Sequence, residues 1–279
     1  MNPEFGSVLF GLASALIWGA GDFCGGLASR RASVLSVLML AELSGLVLLL
    51  VFAIVFRETF PTIIAIAWGI AAGLSGTLGL GALYRGLAAG RASIVAPVSA
   101  VVASIIPAIF SAFTIGLPEP LKIVGFILAF AAIVLASQSQ STEGGNSALP
   151  YAFLAGLAFG AFFIFINLAG GEASTFYPLA IARGISIPLL LVVSLARKVS
   201  LPTQNVLPII ILSGILDAGG NVFFLLSSTL GRLDVATILS SLYPASTVIL
   251  SRFVLHEKIS RVQQLGVVLA LMAIVLIAR

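Results

Sequence analysis

Charged side chains are scarce in this sequence: Asp, Glu, Lys and Arg make up 9% of its 279 residues, against roughly 25% in an ordinary soluble domain. The single cysteine, Cys24, excludes a disulfide framework and a cysteine-rich metal site. No run of five basic residues is present, so nucleic acid is not an expected partner. No P-loop motif occurs, so we expect neither ATP nor another cofactor.

Apolar residues are abundant instead: 60% of the chain is hydrophobic and the mean hydropathy is +1.20. The apolar runs are long and do not alternate with polar residues, which indicates helices, and a membrane span needs about 20 such residues. No basic residue precedes the first run, so we expect no cleavable signal. The sequence predicts an all-α, multi-pass protein of the inner (cytoplasmic) membrane. Its ten predicted spans are 8–28, 33–56, 62–88, 93–115, 121–137, 150–170, 175–196, 206–228, 234–255 and 261–278.

The spans divide into two groups of five at a hydrophilic stretch. We predict a first five-helix repeat at residues 1–137, a connector at 138–149 and a second five-helix repeat at 150–279. The stretch "SQSQSTEGGNSALP" at this point reads as a flexible connector.

Matched motifs support an internal repeat. A single shift along the sequence places Gly125 on Gly266 and the Gly-Arg pair at 90–91 on that at 231–232, and we call this shift the repeat offset. A slightly longer shift aligns two Gly-Leu-Ala triplets, at 11–13 and 156–158. Because each copy has an odd number of spans, the second copy crosses the membrane in the opposite sense, which is the inverted-repeat plan of many secondary transporters. The alternative is chance similarity between apolar helices.

The end of the sequence carries a family pattern. The stretch "ATILSSLYPASTVILSRFVLHEKISRVQQLGVVLALMAIVLI" contains Pro244, Glu257 and Gly266, and a Trp-Gly pair stands in the first span. With two halves of five spans, nearly the whole chain resembles the EamA-type family of the drug/metabolite transporter superfamily. Two positions depart from the family pattern: His256 replaces the usual glycine, and Glu119 is displaced by three residues. The resemblance implies a metabolite transporter, often an exporter, with a cavity between the halves.

The loop charges and the usual arrangement in this family predict opposite orientations of the chain in the membrane. On the side of the N-terminus, the loops and the C-terminus carry four cations, and the opposite loops carry seven. The positive-inside rule therefore puts the termini outside, whereas the family usually has both inside, and we give the family slightly more weight.

Three of the ten acids lie inside predicted spans away from the span ends, namely Asp22, Glu42 and Asp217, and Arg183 lies near the middle of span seven. A charge in hydrocarbon costs at least about 2.5–3.5 kcal/mol on insertion scales, so these groups should face a cavity or one another. Glu42 and Arg183 lie on equivalent spans, two and seven. A buried pair that only locks helices is the alternative to a functional role for these two.

Asp217, Asn221 and Phe224 recur at i, i+4 and i+7 and therefore share one face of span eight. A carboxylate, an amide and an aromatic ring together suit a substrate with an amino or ammonium group. We predict a substrate site at this face, with Trp18 or Tyr243 closing over the ligand. The alternative is that Asp217 only bonds a neighbouring helix.

The first span contains "WGAGDFCGG", in which Trp18 precedes Asp22 by one turn. Gly19 and Gly21 weaken the helix between them, which allows a bend and close approach to neighbouring helices. We predict that Asp22 faces the cavity as a charge or as the proton site of a proton-coupled carrier. The alternative is that it lies near the headgroups and pairs with one of the two arginines that follow the span.

Prolines inside spans four and nine predict hinges at Pro97 and Pro244, because proline leaves a helix carbonyl unbonded. These two spans are then paired moving walls. Ordinary packing of small residues is the alternative.

Rival functions fit less well. The "GLSG" at Gly73–Gly76 is typical of intramembrane serine proteases, but the only histidine, His256, lies in a loop, so we expect no enzyme. An inverted repeat favours alternating access over a channel. We predict a secondary active exporter of small polar or amphiphilic metabolites such as amino acids or amines, with protons as coupling ion, surrounded by membrane lipid, as a monomer or weak homodimer. The alternative is a flippase for a lipid-linked headgroup or sugar.

Overall fold

The computed structural model describes residues 3–88, 92–136, 149–170, 174–254 and 260–277, so the predicted connector lies outside it except for residue 149. Throughout this part of the chain, every regular element is a helix. The helices are α1 (Pro3–Ser29), α2 (Val34–Val55), α3 (Ile63–Ala88), α4 (Ala92–Thr114), α5 (Pro120–Ala136), α6 (Leu149–Gly170), α7 (Phe176–Ala196), α8 (Leu207–Leu230), α9 (Leu233–Ser240), α10 (Tyr243–Val254) and α11 (Arg261–Ile277).

Within these described ranges, seven segments are long and apolar enough to cross a membrane, with α9 and α10 counted as one segment of 22 residues. Three shorter apolar helices lie in α4, α5 and α11. These segments coincide with the predicted spans to within a few residues, apart from an earlier start of α1. The all-α membrane architecture is therefore confirmed.

The predicted ninth span is broken in the middle. The turn between α9 and α10 has two short-range hydrogen bonds, from the Leu242 N–H to the Leu239 carbonyl at 3.2 Å and from the Ala245 N–H to the Leu242 carbonyl at 3.0 Å. Pro244 follows directly and has no N–H to donate, which explains why the helix restarts here. The predicted partner hinge, Pro97, lies in α4, which is continuous. The side chains of both prolines lie outside the described residues.

The helices form two bundles, and each bundle takes helices from both halves of the chain. The first bundle contains α1, α2, α8 and the broken pair α9–α10, with α1 and α2 both packed on α8. The second contains α6, α7, α3 and α4, with α6 and α7 both packed on α3. If each helix is exchanged with its counterpart in the other half, one set of contacts becomes the other. Helices α5 and α11 pack against each other outside the two bundles.

Glycine contacts repeat this relationship at single residues. A Cβ on Gly73 in α3 would collide with the carbonyl of Ala182 in α7, and one on Gly214 in α8 would collide with the carbonyl of Ala41 in α2. The repeat offset relates the two glycines to each other, and it relates the two alanines in the same way. Helices from different halves can approach this closely because the glycines have no side chain.

Trp18 of α1 and Phe159 of α6 follow the same spacing. A Cβ on Gly79 would lie 2.7 Å from Phe159, and one on Gly220 would collide with Trp18. The first helices of the two halves are thus also equivalent at the repeat offset. The Gly-Leu-Ala alignment, which needs the longer shift, is wrong by one helical turn, because small residues at i and i+4 occupy similar places on a helix.

The bundles share two ends, which we name from α1. At the proximal end, where α1 begins, the Ser7 Oγ donates to the Ser227 carbonyl at 2.8 Å and the Ser227 Oγ donates to the Ser7 carbonyl at 2.6 Å. At the distal end, where α1 stops, Ala28 packs with Val37 and Val206 at the starts of α2 and α8. The candidate site extends from the middle of the helices to the distal end.

Candidate functional site

A cavity of about 400 Å³ lies where the two bundles meet. Its lining extends from Trp18 and Tyr243, near the middle of their membrane segments, to Ser29 and Val34, at the end of α1 and the start of α2. Among the described residues, none of α1 before Trp18 and none of α8 after Asn221 belongs to the lining. The cavity therefore reaches the distal end of the bundles.

An ion triad joins the bundles beside this cavity. Arg183, on α7 of the second bundle, donates from Nη1 to the Glu42 Oε2 of α2 at 2.9 Å and from Nη2 to the Asp217 Oδ2 of α8. The arginine side chain is 7% exposed and that of Asp217 is 42% exposed. The Glu42–Arg183 pair is thus present, and Asp217, predicted as a ligand for the substrate, is also bound to Arg183.

Glycine leaves the space that the guanidinium occupies. A Cβ on Gly45 in α2 would lie 2.9 Å from both the Arg183 Cζ and the Gly214 carbonyl oxygen. A larger residue here would displace Arg183 from its carboxylates. Two acids share one arginine, so the triad has a net charge of −1 when all three groups are ionised.

Aromatic rings support the triad on one side. Trp18 stacks on Phe224 at 6.0 Å between ring centroids, lies 6.0 Å from Phe163, and meets Tyr243 edge-on at 6.4 Å. Its Nε1–H donates to the Asp217 carbonyl at 3.2 Å. Phe224 is fully buried and lies behind the lining, so it holds Trp18 in place.

The side chain of Asn221 binds Asp217, one turn earlier in α8. Its Nδ2 donates to the Asp217 carbonyl at 2.8 Å and lies 3.4 Å from the Asp217 Oδ2. Both side chains line the cavity. The structure therefore brings Trp18, Asp217, Asn221 and Tyr243 to the cavity together, whereas Phe224, predicted as the third substrate contact on this face of span eight, lies behind the lining.

Asp22 lies in the cavity wall one turn beyond Trp18, with an exposed side chain. It interacts electrostatically with Asp217 and Tyr243. When it is ionised, Asp22 adds a second net negative charge to that of the triad. The cavity is thus electrostatically suited to a cation.

Gly19 and Gly21 are contact points of α1, which is a single helix. A Cβ on Gly19 would collide with Ser246 of α10. The Gly19 carbonyl accepts from the Thr247 Oγ1 at 3.2 Å, and the Gly21 carbonyl accepts from the Ser213 Oγ at 2.9 Å. The close approach predicted for these glycines is observed, and hydroxyl groups give their carbonyls a second hydrogen bond.

The second bundle contributes an aromatic wall that the sequence pattern did not predict. Phe159, Phe162 and Phe163 line the cavity from α6. By the repeat offset, Phe163 occupies the position equivalent to Asp22, and Gly76 the position equivalent to Asp217. The two walls therefore differ, with carboxylates on the first bundle and phenylalanines on the second.

The serine of "GLSG" has a local partner. The Ser75 Oγ donates to the Ala72 carbonyl of its own helix at 3.0 Å, and a Cβ on Gly76 would lie 3.3 Å from Phe162. This motif packs α3 against its neighbours. His256 lies outside the described residues.

Comparison with known proteins agrees with this geometry. The profile of the EamA-like transporter family matches twice, at residues 5–138 and 146–279, and the two matches are separated by the repeat offset. No curated protein matches the sequence. One solved structure, described only as "Crystal structure of protein", superposes with a TM-score of 0.77 at 14% identity over 97% of this chain and 95% of that chain, which shows a shared fold. Because the two profile matches span nearly its whole length, the chain belongs to the EamA-like transporter family of the drug/metabolite transporter superfamily.

Proposed function

We propose that this protein is a secondary active transporter that exports small polar or amphiphilic metabolites by alternating access, with ten spans in two inverted repeats of five. The cavity at the boundary between two equivalent bundles carries this proposal. Because each repeat has five spans, exchanging the repeats also exchanges the two sides of the membrane. A state open at the distal end then has an equivalent state open at the proximal end. The bodies that rock are the two mixed bundles rather than the two halves of the chain.

The contrast between the cavity walls supports an amine-bearing substrate. Asp22 and Asp217 on the first bundle suit an amino or ammonium group, and Trp18 offers a ring face to the same charge. Phe159 and Phe162 on the opposite wall suit an apolar body. A volume of about 400 Å³ lies within the roughly 300–1,000 Å³ usual for small-molecule sites.

Protons are the coupling ion in this proposal, and Asp22 is the group that carries them. The Arg183 guanidinium already neutralises part of the charge of Glu42 and Asp217. Asp22 lies on α1 beside these groups, with an exposed side chain. Proton binding at Asp22 would therefore change the charge that the cavity presents to an amine.

A matched ligand pair tests the substrate class. We expect 2-phenylethylamine to raise the melting temperature of the purified protein saturably, and 2-phenylethanol to have little effect at the same concentration, because only a ligand that binds the folded state shifts unfolding. Proteoliposomes preloaded with the amine should take up labelled amine by counterflow. Uptake no faster than in protein-free vesicles, with no amine or amino acid shifting the melting temperature, would contradict the proposal. Movement of a labelled lipid-linked sugar in the same vesicles would favour the flippase.

A further inference from the structure

At the proximal end, the carboxylate of Glu58, in the loop between α2 and α3, binds the first turn of α7. Both Glu58 oxygens accept from the Phe176 N–H, at 2.9 and 3.0 Å, and Oε2 accepts from the Tyr177 N–H at 2.7 Å. The Thr175 N–H also donates to Glu58. These are backbone groups that the start of a helix leaves without partners, and the positive end of the helix dipole favours an anion there.

This contact joins the two bundles. Helix α2 belongs to the first bundle, and α7, whose first turn binds Glu58, belongs to the second. Arg232 forms a second link at the same end: it pairs with Asp234 at 2.8 Å and donates to the Gly116 carbonyl at 2.7 Å. The loop before α9 is thereby bonded to the loop after α4. Both links lie opposite the end that the cavity reaches.

The equivalent position at the distal end has no carboxylate. Arg57 and Lys198 are related by the repeat offset and share a left-handed backbone, with φ of 52° and 51°. The next residues also match, because the Glu58 N–H donates to the Ala53 carbonyl at 2.9 Å and the Val199 N–H donates to the Ser194 carbonyl at 3.0 Å. Val199 therefore stands where Glu58 would be.

The helix that corresponds to α7 at the distal end is α2. Its N-cap, Ser33, makes no side-chain capping bond. The arginine equivalent to Arg232, Arg91, lies outside the described residues. At the described positions, the carboxylate link exists at the proximal end alone.

We propose that Glu58 is a one-sided latch, which holds the bundles together at the proximal end and makes the distal-open state the resting state. Opening the proximal end requires Glu58 to leave the first turn of α7. With Val199 at the matching place, no contact of this kind among the described residues has to break when the distal end opens. The latch rests on the alternating-access proposal but not on the identity of the substrate.

Distance measurements between spin labels test the latch directly. In a Cys24→Ser background, a proximal pair of cysteines replaces Thr114 and Thr229, at the ends of α4 and α8. A distal pair replaces Ser33 and Arg85, at the start of α2 and the end of α3. All four side chains are exposed, and each pair spans the two bundles.

Because the backbones around Glu58 and Val199 match, substitution can transfer the carboxylate from the proximal end to the distal end. We expect Glu58→Val to lengthen the proximal distances and shift the ratio of closed to open protein by about tenfold or more, the range of ordinary conformational coupling. Val199→Glu should shorten the distal distances, because a carboxylate then reaches the start of α2. The double variant should show both changes. Glu119→Gln removes an exposed proximal acid and should leave both distributions unchanged.

Each outcome decides the proposal. Unchanged distances in folded Glu58→Val and in the double variant would show that Glu58 only caps α7, and the latch would be rejected. If Glu58→Val fails to fold, Val199→Glu decides alone, and a folded Val199→Glu protein with parental distal distances overturns the proposal. If the distances move as expected but no amine is bound or transported, the latch stands and the substrate proposal fails.

Discussion

Glu42 and Arg183 occupy equivalent positions of the two halves, and their side chains form an ion pair with an Oε2–Nη1 distance of 2.9 Å. Helices α2 and α7 exchange places when the halves are exchanged, and they pack against each other. A residue on the contacting face of one of these helices can therefore meet the equivalent residue of the other half. Opposite charges at the two positions make that meeting attractive, whereas two copies of either residue would repel.

Removal of the arginine should be the most damaging change to this triad. Arg183→Met leaves Glu42 and Asp217 beside each other without a cation. We expect a loss of about 3–5 kcal/mol in the free energy of unfolding, as for other broken buried pairs. Glu42→Gln should cost less, about 1–3 kcal/mol, because Arg183 keeps Asp217. Unfolding in detergent, followed by tryptophan fluorescence, measures both. Equal stability of Arg183→Met and the parent would contradict the prediction.

Two glycines of α1 make a matched comparison. Gly19→Ala places a methyl group against Ser246, whereas nothing lies within 4 Å of a Cβ on Gly26. We expect Gly19→Ala to destabilise by about 1–3 kcal/mol through overpacking. Gly26→Ala should be neutral or stabilising by up to about 1 kcal/mol, because alanine favours a helix. The same fluorescence measurement compares them, and similar melting of both variants would mean that α1 is not tightly packed at Gly19.

Asp217→Asn tests the carboxylate that the cavity shares with Arg183. The change keeps the shape of the side chain but removes its charge, and Arg183 keeps Glu42. Folding should survive while transport in proteoliposomes falls by about tenfold or more, the equivalent of about 1.4 kcal/mol. Exposed Glu119→Gln is the control and should transport like the parent. If Asp217→Asn transports at the rate of the parent protein, or if it fails to fold, the role of Asp217 is structural rather than substrate binding.

Asp22→Asn should separate coupling from substrate movement. If Asp22 carries the coupling proton, exchange of amine across the membrane should continue while accumulation driven by a pH gradient disappears. Proteoliposomes with and without a pH gradient distinguish the two. Accumulation that persists in the variant would assign the proton to another group.

The sequence predicted the helices and part of the site for clear physical reasons. Long apolar runs indicate spans, and the scarcity of charge made Asp22, Glu42, Arg183 and Asp217 conspicuous. The mixing of helices between bundles was not predictable, because span order does not reveal which helices pack together. The phenylalanines of α6 were missed because "AFFIFI" resembles any lipid-facing segment.

Glu58 was overlooked for a different reason. It lies in a short loop outside the spans, where a carboxylate is ordinary and its partners are backbone groups. Such partners leave no signal in the sequence. The contact of Glu58 with α7 depends on the end of α2 and the start of α7 lying together in the fold.

The packing of α1 on α8 has a consequence for biosynthesis. The Ser14 hydroxyl donates to the Gly220 carbonyl at 2.8 Å, and these residues are 206 positions apart. A ribosome adding about 5–20 residues per second needs more than about ten seconds to make that length of chain. Throughout this interval α1 has none of its α8 contacts, and its glycine face meets lipid or the insertion machinery. A chain ending at the connector would supply half of each bundle and complete neither.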